Sequence, residues 1–368
     1  MGKIFIAEPK LNGKELEYVT NCIETNWISS KGSYVTEFED KFSEYCGAKY
    51  GIATSSGTTA LHLALAALGV KRGDEVIIPT FTMIATANAV RYTGAKPILV
   101  DSEPIMWNMD VSKIKARITE RTKAIIPVHI YGHPVDMDPL MDLAEDHDLY
   151  VVEDAAEAHG AEYNGKRTGG IGHVGCFSFY ANKIITTGEG GMVVTSDEDI
   201  DAKARLLVNH ALEDEKRFWH RYVGFNYRMT NLQAAVGVAQ LERIDAFVQT
   251  RRRNAKLFNS LLSSVDGLTL PVEEKRVKNV YWLYSILVEK SFGLTRDMLR
   301  QRLEAEGVET RNFFYPIHAQ PVYARYYKNE GFPVAEDISG KGINLPSGNT
   351  LTEENVEFIA NLIKRLRR

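Results

Sequence analysis

The chain predicts an α/β protein whose large domain carries a mostly parallel sheet, followed by a small α+β domain. Three observations carry that expectation. Short apolar runs alternate with amphipathic segments from about residue 50, the runs are apolar at every position, and the alternation ends near residue 245. A strand covered by helices on both faces needs apolar residues on both, whereas a strand with one wet face alternates. With 368 residues the chain also exceeds the roughly 250–300 at which a single core stops growing. Two domains are therefore expected, at 1–245 and 246–368.

The predicted strands are 76–78, 97–100, 124–128, 150–152, 176–179 and 192–194. Between them, 58–68 repeats Leu61, Leu65 and Leu68 at i, i+4 and i+7 before Gly69, the pattern of a helix with one buried face and a stop. A second helix is expected over 138–147. Past residue 245 come a basic helical stretch, a strand over 281–288, and a helix capped by Thr295 and ended by Gly307. A strand over 308–314 and a last helix from about Thr352 complete the chain. The basic runs Arg251-Arg252-Arg253 and Lys364-Arg365 read as solvated helix faces.

Composition narrows the function. Hydrophobic residues at 44% and charged residues at 25% describe an ordinary globular chain. A formal charge of −4 with scattered basic residues offers no nucleic-acid footprint. Cys22, Cys46 and Cys176 are odd in number and form no CxxC pair, which favours reduced thiols over disulfides or a zinc ribbon. The N-terminal stretch has no apolar signal core, and no apolar run approaches the ~18 residues needed to span a bilayer. A soluble, cytoplasmic protein is expected.

Three segments can carry chemistry. Residues 54–59, Thr-Ser-Ser-Gly-Thr-Thr, join a strand-like stretch to a helix, where free N–H groups bind phosphate or a Ser/Thr side chain merely caps the helix. Asp154 and Glu157 follow a buried strand, at the strand end where open α/β sheets bind ligands. Asp154 is placed either to pair with a protonated heterocyclic nitrogen or to cap a helix, and Glu153 reads as a solvated or salt-bridged neighbour. Lys183 sits beyond an apolar strand and before Gly188, Gly190 and Gly191. A desolvated lysine there has a depressed pKa and serves as a Schiff-base nucleophile and proton shuttle. Ser178 offers a hydroxyl to a phosphate, and the glycines suit a tight turn around a cofactor or a plain hairpin. His129, His133 and His159 read as loop or core histidines without metal-ligand spacing, and no metal is expected. No G-x-G-x-x-G follows a strand into a helix, the context a nicotinamide site requires.

These segments come with Asn26-Trp-Ile-Ser-Ser30, Gly224-Phe-Asn-Tyr-Arg-Met-Thr-Asn231, Gln233-Ala-Ala235 and Arg311-Asn-Phe-Phe-Tyr-Pro-Ile-His318. Together they resemble the DegT/DnrJ/EryC1/StrS family of sugar aminotransferases over nearly the whole chain. The resemblance implies an aspartate-aminotransferase-like large domain, pyridoxal-phosphate (PLP) fold type I, with Lys183 in Schiff-base linkage to PLP. Asp154 would pair with the pyridine nitrogen and Glu157 would lie near the ring hydroxyl. Ser56, Gly57, Thr58 and Ser178 would surround the phosphate. Met83 occupies the position from which the family often stacks an aromatic side chain on the ring, and Phe81 reads as core. Asn226 and Arg228 would reach the cofactor from a partner subunit, making a homodimer with shared sites.

Trp27, Ser29, Tyr315 and His318 would line the sugar and nucleotide end. The implied reaction is a two-step exchange, in which an amino acid, glutamate, loads the cofactor and a nucleotide-linked 4-keto-6-deoxy sugar unloads it. The motifs lie nearest to family members that aminate GDP-4-keto-6-deoxymannose, with UDP- or dTDP-linked sugars as alternatives and a non-catalytic PLP-binding regulator as a rival. Related sugar dehydratases carry histidine in place of Lys183, so lysine points to transamination.

Overall fold

Seven strands form the central sheet in a computed structural model that describes residues 2–213 and 218–367. Met1 and Arg368, at the ends of the terminal stretches read above, lie outside the described residues. The strands stand in the order Tyr50–Thr54, Gly191–Thr195, Val174–Ser178, Tyr150–Asp154, Thr122–Ile125, Glu75–Pro79 and Lys96–Val100. Gly191–Thr195 runs antiparallel to both neighbours and every other pairing is parallel. All six predicted strands fall on members of this sheet. Each is nearly buried along its length, Glu75–Pro79 and Gly191–Thr195 completely so, because helices cover both faces.

Helix Gly57–Ala67 begins at the Ser56 cap and ends one residue short of Leu68, and Met137–Asp146 ends before His147. The three cysteines are buried and unpaired, and no helix among the described residues is long and apolar enough to cross a membrane.

A second sheet of four antiparallel strands, Leu268–Thr269, Tyr284–Val288, Gly342–Leu345 and Arg311–Asn312, carries the C-terminal part. Helices Ile244–Leu262, Arg296–Ala305 and Glu353–Leu366 close its core through Phe258, Leu299 and Ile359. Thr295 caps its helix as expected, its side chain accepting from the Met298 N–H.

Two predicted strands are shorter than the sequence suggests. Over 281–288 pairing starts only at Tyr284, because Tyr281 takes a positive φ of 47° and its N–H donates to Asn279 Oδ1 at 2.8 Å. Over 308–314 only Arg311–Asn312 pairs within the sheet, since Val308 bridges in parallel to Ile4. The N-terminal segment thus joins the C-terminal core: the Ile4 N–H donates to Gly307 O at 2.9 Å and the Ser347 N–H to Ile6 O at 3.0 Å.

One basic run departs from its reading. Arg253 is exposed, but Arg251 is only 1% exposed. The 3.6-residue period places it on the inward stripe with Phe247, Val248, Ala255, Phe258 and Leu262.

Candidate functional site

The site lies where the strand ends of the central sheet meet the C-terminal sheet. Helix Gly57–Ala67 supplies one wall. Its cap is reciprocal, since Ser56 Oγ accepts from the Thr59 N–H at 3.2 Å while Thr59 Oγ1 accepts from the Ser56 N–H at 2.9 Å. The first N–H groups beyond the cap have no partner within the helix. A Cβ at Gly57 would meet the Ser178 Cβ at 2.7 Å, so only glycine lets the helix start approach that serine.

Ser178 ends a strand of the hairpin whose connection, 179–190, carries Lys183. Phe179 N–H donates to Gly190 O at 2.8 Å and closes that connection, while Lys183 N–H donates to Tyr180 O at 2.9 Å. The Lys183 Nζ stands 4.0 Å from the centre of the Trp282 ring. Burial lowers its pKa, opposed by the nearby Glu157 and Asp154 carboxylates, and Arg311 lowers it further.

Asp154 ends strand Tyr150–Asp154. Its Oδ2 accepts from Thr86 Oγ1 at 2.7 Å and its Oδ1 from the Ala156 N–H at 3.3 Å, both neutral donors. No helix follows it, so it caps none. Burial raises its pKa, and Thr86 and the Ala156 N–H hold it down in part. Glu157 accepts from the Tyr131 N–H at 2.8 Å, and burial raises its pKa against the pull of Lys183. Glu153 is not solvated: it is fully buried and accepts from the N–H groups of Gly169, Ile171 and Gly172, with His129 Nε2 at 3.0 Å. The turn 169–172 folds over that side of the strand and covers it.

The structure brings Ser56, Gly57, Thr58, Asp154, Glu157, Ser178 and Lys183 around one cavity of about 370 Å³, within the range of small-molecule sites. Met83 joins them at the rim, 47% exposed, with its sulfur accepting from the Ala85 N–H at 3.1 Å. Phe81 is core, packed against Tyr131 and Phe313.

Six named residues lie outside this cavity in the chain. Trp27, Ser29 and Tyr315 are exposed. Asn226 and Arg228 pair with each other at 3.1 Å on a segment whose Tyr227 carbonyl accepts from the Ser55 N–H. His318 is held by Thr80 Oγ1 at 2.7 Å and Glu336 at 3.2 Å and stacks on Phe332. Conversely, the sequence assigned no role to Thr86, Trp282, Arg311 or Phe314. Thr86 holds Asp154, and the other three line the cavity.

The model of the DegT/DnrJ/EryC1/StrS aminotransferase family matches residues 9–364. The chain belongs to that family. It is 47% identical to the GDP-perosamine synthase of Caulobacter vibrioides, over 97% of this chain and 96% of that one. The corresponding figures for the GDP-perosamine synthase of Escherichia coli O157:H7 are 46%, 99% and 98%. Among solved structures, S. venezuelae DesV superposes with a TM-score of 0.93 at 34% identity, covering 99% of this chain and 98% of DesV.

As a member of this aminotransferase family the chain is an enzyme, and its cofactor is PLP. The residues present fit that group. A protonated ring nitrogen would give buried Asp154 the cationic partner that Thr86 and Ala156 do not provide. The helix start at Gly57 and Thr58, beside the Ser178 hydroxyl, suits a phosphate. Lys183 supplies an amine that burial disposes toward its neutral, nucleophilic form.

Proposed function

We propose that the enzyme moves an amino group from glutamate to C4 of a nucleotide-linked 4-keto-6-deoxy sugar, forming GDP-perosamine from GDP-4-keto-6-deoxymannose. The observation that carries this reading is a buried lysine amine facing Asp154 and Glu157 in one cavity, in a chain 44–47% identical to three GDP-perosamine synthases. When bound, PLP supplies an electron sink for charge developing beside the amino nitrogen. Lys183 holds the cofactor and carries a proton between its Nζ and the reacting carbon. Asp154 keeps the ring nitrogen protonated through its carboxylate, and Thr86 orients that carboxylate. Glu157, held by the Tyr131 N–H, would lie near the ring hydroxyl. Ser56, Gly57, Thr58 and Ser178 would hold the phosphate, and Met83 at the rim would offer the ring a thioether contact of about 0.3–1.5 kcal/mol.

The reading includes a cytoplasmic homodimer in which Asn226 and Arg228 complete the partner's site and Trp27, Ser29, Tyr315 and His318 line its sugar end. Two features support it: Asn226 and Trp27 are exposed outside this chain's own cavity, and Ile28 and Val223 leave further apolar surface uncovered at 50% and 90% exposure. We also read 1–245 and 246–368 as two domains, supported by the change from the seven-stranded to the four-stranded sheet.

With glutamate present, GDP-4-keto-6-deoxymannose is expected to turn over at least about tenfold more efficiently than UDP- or dTDP-linked 4-keto-6-deoxyglucose, or ~1.4 kcal/mol in transition-state binding. A pyrimidine-nucleotide preference in that comparison would overturn the assigned substrate. For the shared site, mixing inactive Lys183→Ala with inactive Asn226→Ala subunits is expected to restore activity in heterodimers, one of whose two sites is intact. No recovery despite demonstrated subunit exchange would remove Asn226 from the partner's site.

A further inference from the structure

Behind the wall that carries Lys183, buried polar side chains close a circuit without a carboxylate. Arg251 Nε donates to Asn349 Oδ1 at 2.8 Å, and its Nη1 donates to the Trp282 carbonyl at 2.7 Å. Ser347 Oγ donates to the same carbonyl at 2.7 Å. Asn349 Nδ2 reaches across to the Ile184 carbonyl at 2.9 Å, and the Trp282 indole N–H reaches the Asn182 carbonyl at 2.8 Å. The two residues that flank Lys183 are therefore each tied by a carbonyl to a side chain, and Arg251 grips the residues that own both side chains. The Trp282 ring in this circuit is the one that lies 4.0 Å from Lys183 Nζ.

A guanidinium in this position is costly. It is 1% exposed, its Nη2 has no hydrogen-bond partner among the described residues, and its bonded partners are neutral. An unpaired buried charge opposes folding, and a neutral side chain suffices to tie two segments together. What a neutral side chain lacks is a planar fork that holds two acceptors at fixed directions.

We infer that Arg251, acting through Asn349 and Trp282, is a positioning residue that sets the backbone on both sides of Lys183 and the aromatic face its amine rests on. The inference rests on the reading of Lys183 as the cofactor-holding lysine.

The test compares Arg251→Lys, which keeps charge but loses the fork, with Asn349→Asp, which keeps the oxygen Arg251 reaches but loses the N–H to Ile184. Arg253→Gln, on the exposed face of the same helix, is the control. For each holoenzyme one measures the pH midpoint of the cofactor's visible absorbance, kcat and KM, and the melting temperature. Both clamp variants are expected to stay folded, to lose about tenfold in kcat with KM little changed, and to shift the midpoint by about 0.5 pH unit or more. Arg253→Gln is expected to match the wild type.

Folded clamp variants with wild-type midpoint and kcat would overturn the inference. So would unfolding of both, which would assign the circuit to the fold alone. A Lys183→Ala protein that kept the visible band would instead remove the reading of Lys183, and the inference with it, a result distinct from unmoved midpoints in the clamp variants.

Discussion

Glu153 and Asp154 are adjacent on one strand, and the pleat sends them to opposite sides of the sheet. On one side Glu153 is saturated: three backbone N–H groups and His129 Nε2 reach it between 2.6 and 3.0 Å. Because the Val135 N–H donates to His129 Nδ1 at 3.0 Å, the ring proton sits on Nε2 and points at the carboxylate. On the other side Asp154 has one short bond from a hydroxyl and one long bond from an amide, and faces the cavity. Both carboxylates are buried, Glu153 completely and Asp154 with 6% exposure at the cavity, and they differ in how fully the protein satisfies them. The incompletely satisfied one is where a ligand cation fits.

Replacing Asp154 by Asn gives the largest expected effect on that contrast, a loss of turnover on the order of 10²-fold or more. The melting temperature of the cofactor-free protein should hold or rise, since burial disfavours the ionised carboxyl that the amide replaces. Turnover within threefold of wild type would break the comparison. Glu153→Gln should do the reverse. An amide cannot accept from all four donors, so a loss of about 2–3 kcal/mol is expected in denaturant unfolding, with kcat per folded molecule within about twofold. Unchanged stability would show that the saturated side needs no charge.

The smallest effect concerns His159, whose two ring nitrogens have no hydrogen-bond partner among the described residues and whose ring packs against Phe177 and Phe179. Burial pulls its pKa down to about 3. From the unfolded value near ~6.5 down to the folded value, the unfolded chain binds a proton that the folded chain does not. Stability from the neutral ring is therefore whole above about pH 6.5 and lost as pH falls below it. Relative to wild type, His159→Phe should gain about 1–2 kcal/mol between pH 7 and pH 5, read from unfolding curves at each pH. Parallel pH profiles would show that the ring finds a partner.

Lys183, Asp154, Ser178 and the 56–58 turn could be named because each stands on a local signal, a strand end, small neighbours or a helix start, and the family resemblance then chose among the alternatives those signals left open. Trp282, Arg311 and Phe314 were not, since they reach the cavity only when the C-terminal sheet packs over the central one. Arg251 was misread for a related reason. Three consecutive arginines look solvated, yet a helix turns about 100° per residue, so one of the three can face inward. His318, expected at the sugar and nucleotide end, is tied to Thr80 and Glu336 outside this chain's own cavity, a placement that no local pattern announces.

The sequence by itself determined the α/β class, the succession of strands and helices, and the turns that carry the chemical side chains. These follow from short-range periodicity and local backbone preference. Only the tertiary structure decided how many donors reach each buried polar atom. Those donors come from segments far apart in the chain, as when Asn349 closes on the carbonyl of Ile184, 165 residues away. No local pattern encodes such a meeting, because packing of the whole chain brings the two groups together.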